Sequence, residues 1–295
     1  MQVLVTGSSG FLGKHLCDSI EKLGHSVVEY DLDMGFDILD EAMLETVIQE
    51  RKVTDVVHLA AIADLYVAGS DPNVAWNINV EGTKKVLSVC ERNGIPMLFA
   101  STCCAYGNND VHPSNEMAPL NPGEIYAKTK VAAEKLFSGT SGQHTIMRLA
   151  TFYGPNQRGS LATSIFLERA KQGLAIEIHG DGEQTRTFTH VQDVVNGIIC
   201  ILKSQLRPAI VNISTDQSYS VNELAEICMQ LTQQVEIKHI PDRSGQILHE
   251  EIDNGLLRSL GWVQQYDLRK GLSTCINTRK RINQDTLTIQ EVLTE

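Results

Sequence analysis

The sequence predicts an α/β fold built on a parallel sheet that helices cover on both faces. Two observations predict it: apolar runs alternate with helical patterns through the first half, and each run is almost continuously hydrophobic. Strands that are buried on both faces have such runs, and parallel neighbours need a crossover connection, usually a helix. The chain has 295 residues, of which 42% are hydrophobic, which is enough for one large domain or for two smaller ones that share a cleft.

The predicted strands and helices alternate along the first half of the chain. The strands are predicted at 2–6, 26–30, 53–60, 97–101 and 145–149. The helices are predicted at 10–23, 41–50 and from about 71 to 92. Asp71 and Pro72 are typical of a helix start, and Gly24 and Gly94 are typical of helix ends. This order favours a doubly wound sheet.

The second half is less regular, because Gly- and Pro-containing segments interrupt it. Two capping-box patterns, which begin at Thr189 and at Ser220, predict helix starts. We predict a first domain of residues 1–150, to which about 182–203 return. A smaller C-terminal α/β lobe, made of 151–181 and 204–295, would bind the substrate.

Charge and cysteine usage restrict the classes of function. A formal net charge of −11 disfavours nucleic acid and anionic membranes as partners. No apolar run reaches the roughly 18 residues of a membrane helix, and the N-terminus has no signal-peptide pattern. The seven cysteines are scattered without metal-ligand spacing, and the histidines show none either. We therefore expect reduced thiols, no metal site and a cytoplasmic location.

A glycine-rich loop, TGSSGFLG, follows the first predicted strand and opens the first predicted helix. Gly7, Gly10 and Gly13 would allow a tight turn, a close approach of the backbone to a pyrophosphate, and close packing of helix and strand. The N-terminus of the helix attracts the negative charge. Asp31, at the end of the second strand, can accept hydrogen bonds from a ribose hydroxyl pair and would repel a 2′-phosphate, and Asp33 is a competing candidate. The arrangement predicts a Rossmann-type site for NAD, although a lone glycine-rich loop also fits an ordinary turn.

A tyrosine and a lysine lie four residues apart on a predicted helix, so Tyr126 and Lys130 share one face. A nearby ammonium stabilises a phenolate and lowers the pKa of the phenol. The pair could then take a hydroxyl proton while a hydride leaves the same carbon. The same pattern also fits an amphipathic helix whose tyrosine packs and whose lysine is solvated.

A series of motifs follows in order along the chain. They are TGSSGFLG at 6–13, FDI at 36–38, HLAA at 58–61, NVEGT at 79–83, STCCAYG at 101–107, YAKTK at 126–130, RLATFYGP at 148–155, QTRTFTHVQD at 184–193, and a stretch from 243 that ends in LGW at 260–262. This series resembles the NAD-dependent epimerase/dehydratase branch of the extended short-chain dehydrogenases/reductases. The resemblance covers about residues 1–265, and the ordered set is far more specific than any one motif.

The resemblance implies an NAD-dependent sugar-nucleotide 4-epimerase that works through a transient 4-keto sugar. Tyr126 would be the base, Lys130 its electrostatic partner, and Thr102 the donor that orients the sugar oxygen. The implied substrate is a nucleoside-diphosphate sugar, in the first instance a UDP-sugar. The implied assembly is a homodimer formed through helices near 73–93 and 126–139.

The resemblance also assigns binding residues. Arg186 and Arg243 match positions that grip the diphosphate, and Thr151 stands where the family often has a substrate-contacting Asn. The implied cofactor-binding residues are Gly7, Ser9, Gly10, Phe11, Leu12, Gly13, Asp31, Asp37, Ile38, Leu59, Ala60, Ala61, Asn79, Tyr126 and Lys130.

Two adjacent cysteines leave the fate of the keto sugar open. Cys103 and Cys104 stand where similar 4,6-dehydratases have an Asp-Glu pair, and the missing carboxylates argue against ordinary dehydration. A free thiol has a pKa of about 8.5, so either cysteine could serve as the acid or base of an unusual sugar-nucleotide dehydratase. Either could equally be a small hydrophobe that fills the core. A third hypothesis is a non-catalytic, dinucleotide-binding regulator on the same fold.

Overall fold

The computed structural model describes residues 1–242 and 247–276. The strands are β1 Gln2–Thr6, β2 Ser26–Tyr30, β3 Asp55–His58, β4 Met97–Thr102, β5 Thr145–Leu149, β6 Phe152–Tyr153, β7 Ile176–His179, β8 Thr185–Arg186, β9 Thr189–His190, β10 Ile210–Ile213, β11 Tyr219–Ser220 and β12 Ile237–Ile240. The helices are α1 Phe11–Lys22, α2 Glu41–Glu50, α3 Leu65–Ser70, α4 Pro72–Trp76, α5 Thr83–Asn93, α6 Ile125–Glu134, α7 Ala162–Lys171, α8 Val191–Lys203, α9 Val221–Leu231, α10 Gly255–Ser259 and α11 Leu268–Ile276.

The central sheet has six strands in the order β10-β5-β4-β3-β1-β2, and all of its pairs are parallel. The chain passes from β1 to β2 on one side and returns to β3 on the other side of β1. The strand order therefore reverses between β1 and β3, and ligands of such sheets bind outside the carboxyl ends of the strands at this point. The predicted α/β class with a doubly wound parallel sheet is confirmed.

Helices bury both faces of the sheet. On one face, apolar side chains of α1 and α8 pack on β1, β4, β5 and β10, with Leu16 and Ile198 fully buried among them. On the other face, α2, α5 and α6 contribute a second cluster in which Leu44, Val86 and Phe99 are fully buried. Continuous apolar strands are explained by this double coverage.

A third apolar cluster lies outside the sheet. It joins α7, α9 and α11 with the parallel pair β7–β12. The antiparallel pair β8–β11 forms a separate two-stranded sheet. One part of the predicted division is wrong: Ile210–Ile213 pairs with β5 in the central sheet, although 204–295 was assigned to the smaller lobe. The rest of the division stays a prediction.

Two helix predictions need correction. The segment from Asp71 is not one regular helix, because a π-helical turn, Asn77–Gly82, separates α4 from α5. Helix α8 begins after His190, whose side chain accepts a hydrogen bond from the backbone N–H of Gln192, and Thr189 belongs to a strand. Within 1–242 and 247–276, no helix is long and apolar enough to cross a membrane.

Candidate active site

The glycine-rich loop connects the carboxyl end of β1 to the start of α1. Gly7 has φ +71°, and a Cβ there would lie 2.7 Å from the backbone nitrogen of Ala60. A Cβ on Gly13 would lie 2.2 Å from the carbonyl oxygen of Gly7. Gly10 is the N-cap residue of α1, and within residues 1–242 and 247–276 it provides no side-chain cap for the N–H groups of that turn. The loop therefore brings uncapped amides and a helix N-terminus close to the sheet edge, as an anion site requires.

The side chains of the loop residues point in different directions. Leu12 is buried in the core cluster of α1 and α8. Phe11 stacks on Phe152, with 5.8 Å between the ring centroids. A bound dinucleotide would therefore meet the backbone of Leu12 rather than its side chain.

Asp31 directly follows β2 and reaches the glycine loop. Its Oδ2 accepts a hydrogen bond from the N–H of Ser9 at 3.0 Å, and its Oδ1 accepts one from the N–H of Asp33 at 3.0 Å. Asp33 itself is exposed. Of the two candidates for the ribose, only Asp31 is held against the loop.

Asp37 and Ile38 lie in the connection after β2. The carbonyl oxygen of Asp37 accepts a hydrogen bond from the phenol of Tyr30 at 3.0 Å, and its Oδ1 accepts one from the N–H of Leu39 at 2.9 Å. Ile38 is buried, and its Cδ1 would lie 2.6 Å from a Cβ on Gly82. Ile38 therefore packs against Gly82, which has no side chain, in the π-helical turn after α4.

The carboxyl end of β3 is tied to β1 by buried hydrogen bonds. His58 Nδ1 lies 2.6 Å from Thr6 Oγ1, which also accepts hydrogen bonds from the N–H groups of Leu59 and Ala60 at 3.2 Å. Burial, followed by the charge of Lys130, lowers the pKa of His58 to about 3. His58 is therefore neutral, and its interactions hold 59–61 beside the glycine loop.

Asn79 is completely buried in the π-helical turn. Its Oδ1 accepts from the N–H of Ile62 at 2.8 Å. Its Nδ2 donates to the carbonyl of Ile62 at 3.1 Å and to Thr129 Oγ1 at 2.9 Å. Asn79 thus links the loop after β3 to α6, and its predicted contact with the cofactor remains a prediction.

Three of the predicted catalytic side chains converge at the carboxyl end of β4. Thr102 is its last residue, and its side chain interacts with the phenol of Tyr126 in the first turn of α6. Lys130, one turn later, lies with its Nζ 6.0 Å from the centroid of the Tyr126 ring. Lys130 is buried and donates to the carbonyl of Ala100 at 2.8 Å. The arrangement allows proton transfer at the Tyr126 oxygen.

The pKa of the Tyr126 phenol moves in the direction opposite to our prediction, and the pKa of Lys130 is shifted as well. Burial, followed by the charge of Cys104, raises the pKa of the Tyr126 phenol above its usual range. Burial also lowers the pKa of Lys130 to about 7, against the raising effect of Glu134. Desolvation disfavours both charged forms, so the closeness of the ammonium does not by itself produce a phenolate.

The two cysteines occupy different surroundings. Cys103 is buried in an apolar cluster, and its Sγ donates to the carbonyl of Arg148 at 3.3 Å. Cys104 is partly exposed beside Thr102. Burial and then the charge of Glu250 raise the pKa of both thiols, that of Cys104 to about 11. Neither thiol is prepared to ionise near neutrality, and Cys103 points into the core.

The predicted substrate residues are only partly described. Arg186, on β8, donates to the carbonyl of Thr185 at 2.7 Å. Its positive charge partly offsets the rise in the pKa of Cys104. Arg186 therefore lies close to the Thr102 end of the site. Thr151 follows β5, and its carbonyl accepts from the N–H of Thr189 at 2.8 Å. Arg243 lies outside the described residues.

Sequence reasoning missed two charged residues of this site. Arg158 lowers the pKa of Tyr126 and lies 3.5 Å from Asp64, which caps α3. Glu250 is buried; its Oε1 accepts from the Thr187 hydroxyl at 2.8 Å, and its Oε2 has no hydrogen-bond partner in the described part of the chain. No local pattern in the sequence marks either residue, because both come from irregular segments.

A glycine loop at the reversal of strand order, together with the Thr102, Tyr126 and Lys130 set, defines the short-chain dehydrogenase/reductase class of site. Within that class, the family model "NAD dependent epimerase/dehydratase family" matches residues 3–214. The chain belongs to this family. It is 31% identical to a putative UDP-glucose 4-epimerase of Methanocaldococcus jannaschii, over 95% of this chain and 99% of the relative.

Two solved structures are similar over almost the whole chain. One is UDP-glucose 4-epimerase of Thermotoga maritima with UDP-glucose, at 27% identity and a TM-score of 0.88, over 94% of this chain and 98% of that one. The other is MoeE5 in complex with UDP-glucuronic acid and NAD, at 30% identity and a TM-score of 0.85, with the same coverage of 94% and 98%.

Proposed function

We propose that this protein is an NAD-dependent UDP-sugar 4-epimerase that acts through a transient 4-keto sugar. The observation that carries the proposal is the convergence of Thr102 and the Tyr126 phenol at the sheet edge that also carries the glycine loop. The names of the relatives, which include UDP-glucose 4-epimerases, support the sugar-nucleotide substrate.

The residues at the sheet edge fit a dinucleotide. The lack of space for a Cβ at Gly7 and Gly13, and the uncapped first turn of α1, fit a pyrophosphate at Gly7–Gly13. Asp31, fixed by the Ser9 amide, would accept hydrogen bonds from the adenosine ribose and would disfavour a 2′-phosphate. NAD bound there would accept a hydride from the sugar and return it to either face of the keto carbon.

The side chains around Tyr126 would handle the proton. Thr102 and Tyr126 would hold the C4 hydroxyl, and the Tyr126 oxygen would take its proton as the hydride leaves. The pKa of the buried phenol must fall for this step. The charge of Arg158 acts in that direction, and the ammonium form of Lys130, with its Nζ 6.0 Å from the ring centroid, would add to it. Arg186 would bind phosphate oxygens, since a guanidinium can do so with two parallel hydrogen bonds.

A substrate panel tests the proposal directly. We expect purified protein with NAD to convert UDP-glucose, UDP-glucuronic acid or a related UDP-sugar to its C4 epimer, as followed by proton NMR of the anomeric signals. Tyr126→Phe should lower the turnover number by about 10²- to 10⁴-fold, the usual contribution of general acid–base catalysis, and should leave NAD binding intact. If the wild type binds NAD but turns over no sugar nucleotide of the panel, the regulator hypothesis replaces this one.

The dehydratase alternative has less support in the site. It needs an acid and a base at the positions of Cys103 and Cys104, but the pKa of both thiols is raised, and the Cys103 thiol bonds to the backbone of β5. Accumulation of a keto or unsaturated sugar in the NMR panel would favour dehydration.

We infer, in addition, a homodimer formed through the segment Pro72–Asn93 and α6. Val74 and Trp76 on this segment are 47% and 46% exposed, and a partner would bury them. Sedimentation velocity should give a dimer for the wild type. A Trp76→Glu variant should shift the protein towards the monomer; a wild-type monomer at micromolar concentration would exclude this interface.

A further inference from the structure

A buried charged network lies next to the catalytic groups. Glu134 ends α6 one turn after Lys130, and its side chain is buried. Its Oε2 accepts from Arg148 Nη2 at 2.7 Å, and its Oε1 accepts from Arg148 Nε at 3.1 Å. The hydroxyl of Ser101, the residue before Thr102, also donates to Oε1. One carboxylate thus joins the catalytic helix to the strand that carries the catalytic threonine.

Arg148 extends the network across the sheet. Its Nη1 donates to the hydroxyl of Tyr106 at 3.1 Å and to the carbonyl of Glu116 at 3.0 Å. The Tyr106 hydroxyl in turn donates to Asn212 Oδ1 at 2.7 Å, on β10. Four elements (α6, β4, β5 and β10) are therefore fixed by bonds that converge on one ion pair.

A buried ion pair adds little net stability to a core. Both side chains are almost fully buried, at 4% and 6% exposure. Removing two charges from water costs free energy that their attraction often fails to recover, and a well-packed apolar pair is frequently as stable. The pair is therefore better explained by what it does to its neighbours.

The neighbour that responds to Glu134 is Lys130. The Lys130 Nζ donates to the carbonyl of Ala100 at 2.8 Å and lies 4.8 Å from the ring centroid of Phe99. The titratable and charged groups around it are His58 on β3, which is neutral, Tyr126 and Glu134 on its own helix, and Arg148 on β5, which binds the Glu134 carboxylate. Only Glu134 among them brings a negative charge at neutral pH.

We propose that Glu134 is a positioning residue for the reaction: its carboxylate, one helical turn from Lys130 on α6, favours the ammonium form of that side chain and, through Arg148 and Ser101, fixes α6 against β4 so that Tyr126 meets Thr102. The raising effect of Glu134 on the pKa of Lys130 agrees with this role. The proposal rests on the proposed function, because it supposes that Lys130 acts as an ammonium.

The test uses Glu134→Gln, which keeps the size of the side chain and removes its charge. We expect the pKa of Lys130 to fall by about half a unit to one unit, because a nearby opposite charge favours the ionised form. Nitrogen-15 NMR of ζ-labelled lysine measures this without turnover, and Lys130→Arg identifies the signal. The alkaline limb of the kcat profile against pH should move down by the same amount, with KM less affected than kcat.

A double variant separates this effect from simple loss of packing. Glu134→Gln alone leaves Arg148 buried without its partner and should lower Tm; Glu134→Gln with Arg148→Gln should recover much of that loss. The shifted pKa of Lys130 should persist in the double variant. Glu91→Gln is the matched control, because Glu91 of α5 pairs with His144, which precedes β5 and accepts a hydrogen bond from the first residue of β4, at the opposite end of that strand from Thr102. The pH profile of this variant should match that of the wild type.

Two outcomes would overturn the proposal: an unchanged Lys130 titration in Glu134→Gln, or a double variant that recovers both the stability and the wild-type pH profile. If the wild type turns over no sugar nucleotide, the proposed function fails by itself, and the lysine titration still decides the effect of Glu134 on Lys130.

Discussion

Tyr126 and Lys130 show how burial changes the chemistry that residue spacing predicts. Their spacing on one helix face could be predicted from the sequence, and so could their place near Thr102. The direction of their pKa shifts could not, because desolvation depends on side chains that come from distant segments. Burial raises the pKa of the phenol and lowers that of the lysine to about 7. Burial therefore dominates the ionisation of the pair, and Arg158 and Glu134, which the sequence did not single out, oppose its effect on Tyr126 and on Lys130 respectively.

Gly13 is required because the packed backbone around it leaves no room for a side chain. We expect Gly13→Ala to lower the free energy of unfolding by about 1–3 kcal/mol, the usual cost of forcing atoms into a packed site, because its Cβ would lie 2.2 Å from the carbonyl oxygen of Gly7. NAD affinity, measured by calorimetry, should fall as well.

Gly69→Ala is the control for that substitution. Gly69 also lies in a helix, and its Cβ would have nothing within 4 Å. The control should gain up to about 1 kcal/mol, as alanine does over glycine in a helix. Equal effects of the two substitutions would show that the loop tolerates a side chain.

The thiol of Cys104 should be slow to react. Its pKa of about 11 means that alkylation by iodoacetamide at pH 7.5 should be far slower than that of a free thiol and should rise with pH up to about 11. Cys104→Ala should keep most of the epimerase activity. A loss comparable to that of Tyr126→Phe would instead assign the thiol to catalysis.

At the scale of single elements, local patterns predicted the starts of helices unevenly. Ser220 and Glu223 form the predicted capping box at the start of α9. The equivalent pattern at Thr189 does not, because Thr189 Oγ1 accepts the N–H of Thr215 at 3.1 Å and the next residue, His190, becomes the cap. A tertiary hydrogen bond thus displaced the local one, and no window of sequence around 189 contains Thr215.

The capping box of α9 can be tested by one substitution. Ser220 Oγ accepts from the N–H of Glu223 at 3.1 Å, and Glu223 Oε2 accepts from the N–H of Ser220 at 2.7 Å. We expect Ser220→Ala to lower the free energy of unfolding by about 1 kcal/mol, as measured by urea denaturation. Ser220→Asp, which can cap in the same way, should lose less; an equal loss in both variants would assign the effect to packing.

At the scale of the whole molecule, the sequence predicted the parallel sheet but not the path of the chain through it. The strand runs of the first half were correct because each is a continuous apolar segment. The sixth strand, Ile210–Ile213, is short and lies far along the chain from its partner β5. Its assignment needed a long-range pairing that no local pattern contains. The same holds for Glu250, which reaches the Cys104 region from an irregular segment.

A buried, neutral histidine should make the free energy of unfolding of the whole protein depend on pH. His58 has a folded-state pKa of about 3 because of burial, against about 6.5 in the unfolded chain. Between about pH 6.5 and 3, the unfolded state therefore binds a proton on His58 that the folded state does not bind. The stabilising contribution is complete above about pH 6.5 and is lost as the pH falls towards 3. Burial also lowers the pKa of His190, to about 4, which adds in the same direction.

The slope of stability against pH isolates this contribution. A difference of one bound proton between the two states changes the free energy of unfolding by about 1.4 kcal/mol per pH unit. His58→Gln should therefore reduce the slope of the free energy of unfolding against pH by that amount between about pH 6 and 4. Glutamine can keep a hydrogen bond to Thr83, which His58 Nε2 contacts at 3.0 Å, but it cannot titrate. Urea denaturation at several pH values gives both slopes. Because the substitution also changes packing, the absolute stabilities will differ; parallel slopes for the two proteins would mean that His58 takes up its proton in the folded state too.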